Sequence, residues 1–195
     1  MPDRVTSVEE LRALFPPPSA RAVTKQLDRI DDRCRAWLAQ CPFVAVGTTN
    51  PDGTGDVSPK GGAPGFIHVL DDHHLAWGEL PGNNRLDGYA NLVRDPRIGL
   101  LFMIPGIGEM LRVNGTAWVS TAPALLEATA PDGVLPTVAL VVEVAEAFIH
   151  CAKAARRSGL WDPERWPDPS SVPGAAAMLP APAVGPDSGD DRPRA

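Results

Sequence analysis

The sequence is short of positive charge, of cysteine and of long apolar runs, and each shortage excludes something. Lysine and arginine number 18 against 24 acidic residues, a formal charge of −6. An electrostatic nucleic-acid binder needs the opposite balance, because phosphate neutralisation requires a basic surface. The acidic surplus accords with plain solubility. No window reaches the roughly 18 uninterrupted apolar residues of a membrane-crossing helix. The opening stretch, MPDRVTSVEELRALF, carries charges where a signal peptide has its apolar core, so the expected compartment is the cytoplasm. Cys34, Cys41 and Cys151 form no CxxC pair and no Cys/His set of metal-like spacing. They read as structural thiols in a reducing compartment. There is no GxxxxGK loop, no GxGxxG fingerprint, no Ser/His/Asp arrangement and no internal repeat.

What is present is uneven. Hydrophobic residues make up 44% and charged residues 22%, ordinary for a globular protein, but the 22 prolines cluster. From Pro163 onward the chain is rich in Pro, Ala, Ser and Asp, with few large apolar residues to offset the entropy of ordering. The expected organisation is an N-terminal helical extension over 1–42, one domain over 43–163 and a mobile tail over 164–195.

Ser7 and Glu10 have capping-box spacing ahead of a short helix carrying Val8, Leu11 and Leu14. A second helix is expected over about 20–40, with Val23, Leu27, Ile30, Cys34 and Leu38 on one stripe. The period then changes. Phe43–Thr49 reads as a strand, and Asn50-Pro51-Asp52-Gly53 as a turn. Val57 begins a short strand leading into Ser58-Pro59-Lys60-Gly61-Gly62, and 66–70 with 74–77 forms a hairpin. Gly82-Asn83-Asn84-Arg85 opens a helix. Strands follow over 98–104, 110–120 (with Gly115 as a bulge) and 137–149, separated by a short helix over about 122–129. A last helix covers about 151–158. Six or seven strands, mostly hairpin-connected and without a βαβ rhythm, predict a mainly β, mostly antiparallel barrel with peripheral helices.

Two polar segments interrupt the core-forming runs. In the first, 56–66, glycines permit close backbone approach to a ligand, Ser58 offers a hydroxyl and Lys60 a cation. In the second, 80–86, a predicted helix N-terminus favours an anion and Arg85 can grip a phosphate with two hydrogen bonds. Together they outline a phosphate site beside a flat pocket; on spacing alone they read equally as Gly/Pro loops with solvated charges.

The succession DVSPKGGAPGFIHVLDD, LAWGELPGNNRLDGYANLVRDPRIGLLFMIPG and EMLRVNGTAWVS resembles the pyridoxamine-phosphate-oxidase-like flavoproteins. More narrowly, it is similar to a bacterial subgroup with SPKG and PGNNR motifs and an ending matched here by His150-Cys151-Ala152-Lys153 and Arg157-Ser158-Gly159-Leu160-Trp161-Asp162-Pro163. The resemblance spans about residues 20–163. It implies an FMN-binding split β-barrel, homodimeric, with FMN at the subunit interface and an unidentified small molecule as substrate or electron donor. It implies Ser58 and Lys60 beside the flavin, with Lys60, Asn83, Asn84 and Arg85 towards its phosphate. Backbone amides of Gly61 and Gly62 would serve the ring edge, and Ala76 and Trp77 would line the isoalloxazine. Glu109, Arg112, Lys153 and Trp161 would reach the site from the partner subunit, with His150 as a proton donor.

The leading reading is therefore an FMN-dependent oxidoreductase, in which the flavin carries the electrons and the protein binds, orients and tunes it. The basic residues that pyridoxamine phosphate itself would need near the C-terminus are missing. A deazaflavin (F420) reductase would keep the fold, although Lys60 and Arg85 are sparse for its longer acidic tail. A non-enzymatic flavin- or heme-binding module is the third reading, with His150 or His68 as the axial residue for heme. His73-His74 falls in the hairpin turn and reads as exposed.

Overall fold

The computed structural model describes residues 4–80 and 82–179. Three short helices come first: α1 (Val8–Ala13), α2 (Ala20–Thr24) and α3 (Asp32–Leu38). The single helix expected over 20–40 is thus two. The break has a tertiary cause. Leu27 pairs with Ala147 through both of its backbone groups, at 2.9 and 2.8 Å. The Asp31 carboxylate then accepts from the Cys34 amide at 2.9 Å and starts α3 afresh. Ile30, Cys34 and Leu38 still reach the core, whereas Val23 is exposed.

The body of the fold is one seven-stranded antiparallel sheet: β1 (Phe43–Thr49), β2 (Gly55–Gly61), β3 (His68–Val69), β4 (His74–Glu79), β5 (Arg97–Met103), β6 (Met110–Ser120) and β7 (Val138–His150), in the order β2-β1-β5-β6-β7-β4-β3. Helix α4 (Asp87–Arg94) links β4 to β5, α5 (Pro123–Ala128) links β6 to β7, and α6 (Lys153–Ser158) and α7 (Ala175–Met178) follow the sheet. The Ser58-Pro59-Lys60-Gly61 motif belongs to a strand, not to a loop; Pro59 is tolerated because β2 is an edge.

Alternate residues of the strands turn inward: Val44 and Val46 on β1, Ile98, Leu100 and Phe102 on β5, Leu111 and Val113 on β6. On β7 the inward set changes parity, from Leu140, Val142 and Val144 to Ala147. A bulge opposite Asn114/Gly115 causes the switch, since one extra residue moves every later side chain to the other face. Gly115 is required there, because a Cβ would stand 1.9 Å from the Glu143 carbonyl oxygen.

The sheet curls without closing. Among the described residues edge strand β2 has no strand partner beyond β1, yet its Lys60 reaches Glu79 of β4 at 2.5 Å. The architecture is the mainly β split barrel with peripheral helices. Beyond the sheet, Arg165 donates to the carbonyls of Arg156 and Arg157, and the Trp166 indole donates to the Leu160 carbonyl, folding the chain back on α6. The expected mobility of the tail falls, over 180–195, outside the described residues.

Candidate functional site

A cleft of about 470 Å³ opens where the split leaves β2 apart from β4, with α4 along its rim. That is the size range of small-molecule sites. Its floor is apolar, from Val46, Leu80, Val138 and Leu140, and Ser58 and Lys60 line one wall. The inward positions of β2 alternate Asp56, Ser58, Lys60, so the strand's pleat aims all three at the cleft while Val57, Pro59 and Gly61 face out.

The opposite rim is the 83–88 turn. The helix starts at Asp87, later than the Gly82–Arg85 start expected from the sequence, because Asn84 (φ 57°) and Leu86 (φ 56°) are left-handed. Asparagine tolerates that region; leucine at Leu86 costs about 1–2 kcal/mol. Such strain concentrates at binding sites. Among the described residues no side chain caps the start of α4. The backbone of Gly88 faces the β2 wall, where a Cβ would lie 3.8 Å from the Ser58 hydroxyl and 3.9 Å from that of Thr48. Free amides, a helix dipole and a hydroxyl converge there, the ingredients of an anion cradle. Arg85 is at hand: its guanidinium meets only Asp87 among the described residues, at 2.7 Å, and is 74% exposed.

Deeper in, Lys60 is not a free cation. Its ammonium contacts one Glu79 oxygen at 2.5 Å and lies 4.8 Å from the centre of the Tyr89 ring, while the Tyr89 hydroxyl donates to the other Glu79 oxygen. Both ion-pair side chains are about one-fifth exposed, at 23% and 22%. Burial, reinforced by the Glu79 carboxylate, pushes the Tyr89 phenol well above its ordinary value, so it stays protonated. A buried amide network braces the outer end: Asn91 donates towards Thr48 (3.1 Å), Asn50 (3.1 Å) and Asp56 (3.2 Å).

Of the residues singled out in the sequence, the structure brings Ser58, Lys60, Asn83, Asn84 and Arg85 to this cleft. Gly61 and Gly62 are not in it; the Gly62 amide is spent on the Pro42 carbonyl at 3.0 Å. Ala76 and Trp77 are fully buried in the core, because both faces of β4 are covered. Arg112 and His150 lie on the outer face of β6 and β7, Lys153 begins α6, and Trp161 follows it. None of these four lines the chain's own cleft. Glu109 precedes β6, outside the strand. His74 contacts Asp71 at 2.9 Å in the hairpin turn. The sequence reading missed Glu79, Tyr89, Asp56 and Asn91. Glu79 left a trace, as an acidic residue ending an apolar strand; Tyr89 left another, one helical turn after Arg85.

Residues 30–151, more than half of the chain, match the profile of the family described as pyridoxamine 5'-phosphate oxidase. The chain belongs to that family, which is of the flavin-binding oxidoreductase type. No curated protein matches the sequence. Among solved structures, the fold is similar to a variant of HupZ from Group A Streptococcus, at 18% identity over 62% of this chain and 99% of that one, TM-score 0.50. It is similar also to a candidate pyridoxamine 5'-phosphate oxidase from Lactobacillus delbrueckii (22% identity, 64% and 98% covered, TM-score 0.49). An F420 reductase follows at 16% identity, 60% and 94% covered, TM-score 0.41. Identities this low bear on the fold alone. No helix among the described residues is long and apolar enough to cross a membrane.

Proposed function

We propose that the chain is an FMN-binding flavoprotein, a homodimeric oxidoreductase acting on a small molecule. The observation that carries this reading is the open, uncapped start of α4, with the Gly88 backbone facing the Ser58 hydroxyl and Arg85 alongside. The residues present fit the cofactor's phosphate. The Arg85–Asp87 bridge is a surface pair of the kind worth about 0–1 kcal/mol, so a phosphate dianion displaces it readily. The apolar floor suits the flat ring. Lys60, held by Glu79, belongs to the inner wall instead of the phosphate end.

Bound FMN would supply the electron-transfer chemistry of its isoalloxazine. The chain's own residues do the rest. Ser58, the α4 amides and Arg85 anchor the phosphate, and Val46, Leu80 and Leu140 exclude water. Tyr89 and Glu79 hold a proton at the phenol oxygen, with the Lys60 ammonium offsetting the carboxylate's charge.

The dimer is supported by the sheet's outer face, where Pro59, Ala45 and Leu101 stand in register, as do Gly61, Phe43 and Met103. Val57 on the same face is 73% exposed. Only across such an interface could His150, Arg112, Lys153 or Trp161 approach a flavin. A reducing, cytoplasmic setting belongs to the same reading; burial raises the Cys34 thiol to about 11 and keeps it inert. The carboxylates of Asp56 and Asp87 oppose the long acidic tail of F420.

The test is the absorption spectrum of the purified protein with chromatography of what acid releases. FMN at about one per chain is expected; a colourless protein that takes up no added FMN overturns the reading. Arg85→Ala should weaken FMN binding about tenfold, the loss of one charge-assisted contact, and leave riboflavin binding unchanged.

A further inference from the structure

Two helix faces are apolar and uncovered. On α1, Val8 and Leu11 share a side with Phe15, whose amide carries the turn on to the Arg12 carbonyl at 3.3 Å, and all three are exposed. Every residue over 4–20 except Ser7 is exposed, so the arm buries nothing against the body among the described residues. The helix is specified nonetheless. The Ser7 hydroxyl accepts from the Glu10 amide at 3.1 Å, and the Glu10 carboxylate accepts from the Thr6 amide at 2.9 Å. Capping alone does not hold six helical residues together. Isolated helices shorter than about 12–15 residues are marginal in water and depend on burying an apolar face. Pro16-Pro17-Pro18 forms a stiff spacer between α1 and the rest of the chain.

The second face is on α4. Its Gly88, Tyr89 and Leu92 line the cleft, whereas Ala90 and Val93 do not. Those two continue a stripe that begins at Leu86, at spacings of i, i+4 and i+7, and all three are exposed, Val93 at 78%.

The two stripes match in length, about two helical turns each, and in charge. Laid antiparallel, the start of α1 with Glu9 meets the end of α4 with Arg94, and Arg12 meets Asp87. Glu9 and Arg94 are exposed and have no ion-pair partner among the described residues. The antiparallel alignment also sets opposite ends of the two helix dipoles together.

We propose that α1 of one copy docks antiparallel on the outer stripe of α4 in a second copy, an exchange of N-terminal arms. The stiff spacer and the lack of burial at home point to a second copy as the acceptor. The inference takes from the proposed function only that copies associate; it uses neither the outer face of the sheet nor the flavin.

The test is a disulfide placed across the proposed contact in the full-length chain. Cys151→Ser leaves only the buried Cys34 and Cys41. In that background, Leu11→Cys with Val93→Cys should give a covalent dimer under mild oxidation, read on a non-reducing gel. Leu11→Cys with Val134→Cys, another exposed position, should not. Val8→Asp should abolish the product, because an acid in the first turn favours the helix but removes its apolar face. Glu9→Lys should slow cross-linking about two- to fivefold, the worth of an exposed ion pair, and Arg94→Glu in the same chain should restore it. No disulfide, a disulfide closed within one chain, or equal cross-linking of the Val134 pair overturns the proposal. All the substituted positions on α1 and α4 are exposed, so folding is not at stake. FMN per chain is measured on the same samples: cross-linking without FMN overturns the flavin reading alone, and FMN without cross-linking overturns the arm exchange alone.

Discussion

Consider Lys60→Met, which removes the ammonium from the Lys60–Glu79–Tyr89 network while keeping most of the side-chain volume. Glu79 is left as a carboxylate about one-fifth exposed, with the Tyr89 hydroxyl as its remaining donor. Breaking a fully buried pair by removing one partner costs about 3–5 kcal/mol, and an exposed pair about 0–1. With 22–23% exposure and a phenol still in place, the expected loss is about 2 kcal/mol, intermediate between those limits. Glu79→Gln strands the ammonium near the Tyr89 ring, which retains a cation–π attraction, so about 1–2 kcal/mol is expected there. The double variant removes both charges and should cost about as much as the worse single one, giving a coupling of about 1–2 kcal/mol. Urea unfolding of the four proteins measures this cycle, and the Lys60 variant should melt about 4–8 °C lower. If the two single losses simply add in the double variant, the network is not an interacting unit and the reasoning fails.

Three other outcomes follow from local geometry. Burial opposes ionisation of Asp31, but the Cys34 amide and the Arg33 guanidinium outweigh it and lower the carboxyl to about 2. Because the folded-state value is depressed, this cap stabilises fully above pH 4 and is lost as the pH falls through about 2; Asp31→Ala should cost about 1 kcal/mol at pH 7 and flatten the acid limb of the stability profile. Gly115→Ala puts a Cβ 1.9 Å from the Glu143 carbonyl, so a loss of about 1–3 kcal/mol or more, read by thermal melting, is expected; an unchanged melting temperature would mean the bulge is not formed. Leu86→Gly should raise stability by about 1 kcal/mol, since Leu86 is left-handed and exposed, and a fall in the urea midpoint would contradict the strain assigned to it.

What the sequence determined by itself was everything governed by neighbours along the chain. The strands at 43–49 and 110–120 match the structure because alternation and turn chemistry are local signals. The turn after Thr49 follows for the same reason; Gly115 does mark where the register shifts, but the extra residue, Ala145, is on β7. Five residues of the candidate site were legible because a Ser-Pro-Lys strand and an Asn-Asn-Arg turn are polar where the pattern calls for apolar residues. The tertiary structure decided who meets whom. It kept the helix that ends at Thr24 from running on by offering Leu27 a hydrogen-bond partner in Ala147, 120 positions away. It neutralised Lys60 with Glu79, took the Gly62 amide for Pro42, and enclosed Ala76 and Trp77 by covering both faces of β4. It also brought Lys25 to the Ile149 carbonyl, 124 positions away. Charge and hydrogen-bonding capacity are written in the sequence, but whether a cation is free or paired depends on which strand curls past it, and that is set only when the sheet forms.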